Sequence, residues 1–164
     1  MPSLRLPCSN DRNAINRLHA KCFGPGRFAR TAYRIRESAD CVTSCSRMLF
    51  DGDQLIASVE LSKIEIGEQP GALLLGPLAV APEYIGQANG STLVKAAIEA
   101  ARDEGYQMIV LVGDMAYYHR FDFEVVPPKQ IALPGPVDPE RILALELRKS
   151  ALQKYAGLVR GTSM

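Results

Sequence analysis

At 164 residues, 47% of them hydrophobic and 23% charged, the chain has the composition of one globular domain spanning residues 1–164 and is short for two. Nineteen Lys and Arg balance eighteen Asp and Glu to a net charge of +1, so no global field points to nucleic acid or an anionic membrane, and any anion site must be local. No run of about 18 apolar residues could span a bilayer, and MPSLRLPCSNDR contains no secretory stretch, so a cytoplasmic location is expected.

Cys8, Cys22, Cys41 and Cys45 form no CxxC pair, and only His19 and His119 could join them as imidazole ligands. The expectation is free thiols and no metal site.

In chain order, Leu4 and Leu6 suggest a short strand, and Ser9, Asn10 and Asp11 offer caps to a helix whose inner face carries Ile15, Leu18, His19 and Cys22. Gly24, Pro25 and Gly26 stop it. FARTAYRIRES starts a second helix, with Phe28, Ala32, Ile35 and Arg36 near its inner side. Residues 46–51 and 54–64 flank Gly52 as an antiparallel hairpin. Residues 72–80, ALLLGPLAV, are apolar on both faces, as in a central strand, although Pro77 marks an edge or an interruption of pairing.

After the loop PEYIGQANGS, a helix runs from Gly90 to Glu104 with Leu93, Ala97, Ile98 and Ala101 on one stripe, closed by Gly105. Residues 106–114 form a second buried strand, parallel to the first because a helix joins them. AYYHRF makes one or two helical turns, DFEVV a short strand, residues 127–140 a proline-rich loop, and RILALELRKSAL a last strand; the tail from Leu152 is expected to fray. The fold class is α+β, with a mixed, mostly antiparallel central sheet containing one parallel pair and flanked by helices. A strand, a loop with Gly86 and Gly90, and a helix N-terminus in succession often hold an anion, because free N–H groups point where the helix dipole is positive.

This order, together with LLLGPLAVAPEY, GQANGSTLV and LVGDMAYYHRFDF, resembles the GCN5-related N-acetyltransferase family over nearly the whole chain. The resemblance implies an acyl-CoA N-acyltransferase fold in which the parallel pair splays into a V. It further implies transfer of an acyl group from acetyl-CoA, the cosubstrate, to an amine acceptor. The family's pyrophosphate loop maps to Ile85, Gly86, Gln87, Ala88, Asn89 and Gly90, followed by Ser91. Ile85 stands where the family has Gln or Arg, and Ala88 where it has Gly. Ala88 is compatible with cradling phosphate if its φ is negative. Leu78, Ala79 and Val80 are the implied pantetheine and acetyl contacts, with the N–H of Ala79 or Val80 as oxyanion donor. Pro77 would lie where the ladder has already split.

Tyr118, four residues before Asp122 of a DF pair that stands for the family's GF, matches the tyrosine that protonates the departing thiolate. A packed aromatic at 118, or Tyr117 as the acid, stays open. Glu60 and Glu83 are the candidate bases, each readable also as a solvated carboxylate, and His119 is a third option. Arg27, Arg30, Tyr33 and Arg34 form a cationic segment that suits an acidic substrate or a solvated helix face. A CoA-binding or acyl-sensing module without catalysis, and an interaction protein on the same fold, remain alternatives. The acceptor and the oligomeric state, with a homodimer as one option, stay open.

Overall fold

The computed structural model describes residues 2–26 and 30–163. Phe28 and Arg27, assigned above to the second helix and the cationic segment, lie outside the described residues. The elements are β1 (Ser3–Arg5), α1 (Arg12–Phe23), α2 (Thr31–Glu37), β2 (Arg47–Asp51), β3 (Gln54–Ile66), β4 (Gln69–Val80), α3 (Asn89–Asp103), β5 (Met108–Val112), α4 (Met115–Tyr118), β6 (Glu124–Val125), β7 (Ile131–Ala132), β8 (Ile142–Glu146) and β9 (Gly157–Gly161).

The sheet runs β1-β2-β3-β4-β5-β8-β6, with β9 on β3 and β7. Its neighbours are antiparallel except β4 with β5 and β7 with β9. Side-chain alternation divides the central strands between two cores. Leu73, Leu75, Ile109, Leu111, Leu143 and Leu145 meet Leu93, Val94, Ala97, Ile98 and Ala101 of α3. Ala72, Leu74, Met108, Val110, Ile142 and Ala144 face the other way, onto Ile35 of α2, Tyr155 and Val159. The continuous apolar runs at 72–75 and 108–111 are therefore strands covered on both faces. Truncating a fully buried member such as Leu73 to alanine should cost about 2–5 kcal/mol.

Helix α1 lies over the other end of the sheet, where Leu18 packs on Ala79 and Ala81, and Ile15 on Met48 and Phe50. Gly24, at φ +67°, ends it and donates its N–H to Ala20 O at 3.0 Å. Leu4 and Leu6 are exposed rather than packed.

The C-terminal region departs from expectation. The last strand stops at Glu146, Ser150 turns through φ +62°, and a 3-10 turn leads to β9. The expected fraying tail is instead ordered into the sheet: β9 pairs with β3 at Ile64–Ile66 and with β7, a strand within the expected proline-rich loop. Tyr155, fully buried, fixes this return by donating its hydroxyl to Pro70 O at 2.7 Å. The long β3 thus has its first half covered by β2 and its last residues by β9, which leaves that edge little room for outside pairing.

Candidate active site

The site follows from one discontinuity. β4 and β5 pair only over Ala72–Leu74 and Met108–Val110, after which β4 stays on β3 and β5 stays on β8. The two strands diverge into a V. Pro77 lies beyond the last parallel pair, so its missing N–H breaks no bond to β5.

Strand alternation decides which backbone groups enter the V. Ala81 donates to Ile56 O at 2.8 Å, and the register sets Val80 opposite Ala57 and Ala79 opposite Ser58. Antiparallel residues turn alternately toward and away from a partner, so Ala79 faces β3 while Leu78 and Val80 turn their N–H and C=O groups outward. The Cys22 thiol, 3.3 Å from Val80 O, reads out the same direction from the far side. Of the two N–H groups expected from the sequence as oxyanion donors, Ala79 is therefore turned away, while Val80, and with it Leu78, turns outward.

Three clefts share Phe23 in their walls. The first, about 620 Å³, holds Leu78, Ala79 and Val80 at one end and Ile85, Gly86, Ala88, Asn89, Gly90 and Ser91 at the other. Gln87 is exposed and does not line it. Fifteen-residue α3 begins here, and its first N–H groups open into the cleft, since the ladder starts only with Thr92 N on Ala88 O at 3.0 Å. Asn89 anchors the turn by donating its side-chain amide to Tyr84 O at 3.1 Å. Ala88 does not meet the condition set for it: its φ is +62°, in the left-handed region that favours glycine. A methyl on Gly90 would sit 3.0 Å from the Tyr117 hydroxyl, so a side chain there would crowd the cleft. Ile85 is 67% exposed and brings no charge. Arg120, whose guanidinium stacks 4.4 Å from the Tyr117 ring centre, and Lys21 are the cations in this wall.

The second cleft is the V itself, about 660 Å³. Asp114 caps α4 by accepting from Ala116 N at 3.1 Å, and this short helix holds Tyr118 in the V. Tyr118 stands nearly edge-on to Tyr117 and Phe123, with ring centres 4.9 and 5.8 Å away. Burial, helped by Tyr117, pushes its pKa up to about 12 against a weak opposing pull from Arg141. The phenol therefore keeps its proton across the physiological range. Tyr117 lines both this cleft and the first, with its hydroxyl directed at Gly90. His119 is exposed, its Nδ1 3.0 Å from Ala116 O on its own helix.

The third cleft, about 400 Å³, lies on the opposite side, between α1, α2 and β3. Glu60 is buried at 7% exposure. Arg12 donates to both its oxygens, at 3.3 and 2.7 Å; Cys41 Sγ donates to Oε2 at 3.4 Å; His19 Nε2 is 3.7 Å from Oε1. Burial works to raise the carboxyl pKa, but the Arg12, His19 and Cys41 interactions outweigh it and hold the group below the usual carboxylate range. The solvated reading of Glu60 is thereby corrected. For Glu83 that reading fits: its side chain is 52% exposed, bonded to Lys21 at 3.0 Å, and outside the walls of all three clefts. Arg30 and Tyr33 of the cationic segment line the third cleft, whereas Arg34 does not.

The sequence reading missed His19, Arg12, Arg36 and Cys41 as members of this cleft. His19 and Arg36 carried a signal, each a polar residue on the inner face of its helix. Arg12 and Cys41 reach Glu60 from 48 and 19 residues away, and Arg36 joins the same wall without contacting it.

Among the described residues there is no cluster of three His, Cys, Asp or Glu able to hold a metal, and no helix long and apolar enough to cross a membrane. The chain is 27% identical over 157 residues to the uncharacterized N-acetyltransferase YhbS of Escherichia coli K12, covering 95% of this chain and 93% of that one. The crystal structure of E. coli YhbS in complex with CoA superimposes with a TM-score of 0.83 at 25% identity, over 98% of this chain and 89% of the other. A GNAT family acetyltransferase of Brucella melitensis in complex with acetyl-CoA shares the fold, with a TM-score of 0.64 at 22% identity over 92% and 97% of the two chains. Residues 12–123 match the family model described as Acetyltransferase (GNAT) family. With that family model matched over 12–123 and a sheet that splits after Leu74 beside the N-terminus of α3, the chain belongs to the GNAT family of acetyltransferases.

Proposed function

We infer that the protein is an acetyl-CoA-dependent N-acetyltransferase that passes an acyl group directly from CoA to an amine. The observation that carries this reading is the V, whose β4 edge turns backbone groups that β5 no longer pairs toward clefts on either side. A thioester laid along that edge would have its phosphates at α3 and its carbonyl at the N–H of Leu78 or Val80. The N–H dipoles would stabilise the oxyanion as the amine attacks. Collapse then breaks the C–S bond, and Tyr118, protonated and facing the V, gives its proton to the thiolate.

Glu60 is the acceptor-side anion. Its lowered pKa makes it a poor proton acceptor but a good partner for an arriving ammonium, while the His19 imidazole, its Nε2 3.7 Å from Oε1, is the neighbouring nitrogen base that takes the proton. Glu83, away from the clefts, has no part in this reading.

The test combines calorimetry with acetyl-CoA and free-thiol release in the presence of amines. Saturable 1:1 binding and amine-dependent release are expected; absence of acetyl-CoA binding would end the proposal. The left-handed Ala88 and uncharged Ile85 favour one second reading, a CoA-binding module without turnover. Binding with no thiol release across a broad amine panel would select it.

A further inference from the structure

Arg36 leaves a charge that the reaction outlined above does not use. It projects from α2 to the junction of the acceptor cleft and the V, lining both, and a methyl on Gly76 would lie 3.5 Å from its Nη1. Its guanidinium lies 5.8 Å from the centre of the Tyr33 ring. Among the described residues it has no ion pair within 4.0 Å.

The neighbouring carboxylates are committed or peripheral. Glu60 is held by Arg12 on both oxygens, Asp114 and Asp138 each cap a backbone turn, and Glu37, in the wall of the acceptor cleft, is exposed and makes no ion pair with Arg36 within 4.0 Å. Arg30, seated 5.2 Å from the centre of the Phe23 ring, adds a second cation to the same two clefts. Burial lowers the Arg36 pKa; Glu60 and then Tyr33 oppose it in part, and Arg30 adds the smallest contribution, a further lowering. A partly desolvated guanidinium with no carboxylate on it is an arrangement that a bound anion completes, and its planar fork matches a carboxylate.

Resting on the acetyltransferase reading, we propose that the acceptor is a small amine carrying a carboxylate a few bonds from its amino group, and that Arg36, backed by Arg30, binds that carboxylate. Spacing sets the reach. Gly76 is two residues, at most about 6.6 Å, from Leu78 on the irregular stretch of β4, so Arg36 lies within roughly one strand repeat of the nearer of the two outward N–H groups. After a hydrogen bond of about 2.9 Å to the guanidinium, this leaves room for a spacer of one to three carbons between carboxylate and amine. α- and β-amino acids have that spacing. Glu60 receives their ammonium group, and the two arginines repel a second ammonium, which disfavours diamines and polyamines.

The test uses acetyl-CoA and matched acceptors: the common L-amino acids and β-alanine, the corresponding carboxamides, and short diamines, with free-thiol release as the readout. The acids should turn over with kcat/KM at least tenfold above their carboxamides. Arg36→Gln should raise KM for the acids at least tenfold while leaving their amides and the KM for acetyl-CoA nearly unchanged, and Arg36→Lys should recover part of the loss. An unchanged melting temperature separates these effects from misfolding. Amides or diamines consumed as well as the acids would overturn the carboxylate assignment and leave the transferase intact. No amine-dependent release from any acceptor would overturn both.

Discussion

The two sides of the V are built from different materials. On the side proposed for CoA the groups on offer are backbone: the first N–H groups of α3 and the outward groups of Leu78 and Val80. At the acceptor end they are side chains: Glu60, Arg12, His19 and Arg36, brought from β3, α1 and α2. Backbone groups tolerate changes of side chain, so the loop keeps its shape with isoleucine at 85 and alanine at 88. Converging side chains tolerate few changes, because each removal strands a partner.

The contrast can be broken at several points. Tyr118→Phe should have the largest effect, since it removes the only proton of the phenol in the V while keeping the ring packing against Tyr117 and Phe123. We expect kcat to fall by roughly 10²–10⁴ with little change in the KM for acetyl-CoA. A variant with unchanged turnover would pass the acid role to another group, with Tyr117 next in position.

Glu60→Gln tests the acceptor end through stability. Loss of the charge leaves Arg12, half-exposed, without its carboxylate and removes charge-assisted bonds from a buried site, which should cost about 1–3 kcal/mol in denaturant melts. The pH dependence has a definite sign. The folded pKa of Glu60 is depressed, so its contribution is fully present above the ordinary value of 4.5 and is lost as pH falls below that through the folded value. The variant should therefore show a shallower loss of stability than wild type below about pH 4.5; parallel curves would refute the assignment.

The CoA end should respond more gently. Ala88→Gly removes a Cβ from a left-handed backbone position and should stabilise the fold by about 1 kcal/mol, seen as a melting temperature higher by about 2–4 °C. A lower melting temperature would mean that the methyl makes a compensating contact. Ile85→Arg puts a cation at the exposed mouth of the cleft, and CoA should bind two- to fivefold tighter by calorimetry, equivalent to about 0.5–1 kcal/mol at an exposed site. Unchanged affinity would indicate that Arg120 and Lys21 already supply what the loop lacks.

The same division explains what could be read before the structure. The central strands, α3 and the loop between them are written in local pattern: apolar runs at 72–75 and 108–111, a 3.6-residue stripe on α3, glycines at 86 and 90. The loop and the β4 edge come with those elements, so their positions were legible. Glu60 was named as a candidate base, but its burial was not legible, because it depends on Arg12, 48 residues earlier, and on Cys41. Nor was β9, whose place is set by a slot between β3 and β7 and by Tyr155 reaching Pro70, 85 residues away. His19 was visible as part of an apolar face, but nothing local said that a carboxylate waited beside it.

The central claim is that an acyl thioester lies along the outer edge of β4, between the α3 N-terminus and the Glu60 cleft. A crystal structure of the acetyl-CoA complex tests it most directly. The account predicts the pyrophosphate against the N–H groups of residues 86–91 and the thioester oxygen within about 3.2 Å of the Leu78 or Val80 nitrogen, with Tyr118 facing the sulfur. A thioester bound away from β4, or phosphates held elsewhere than at α3, would contradict it.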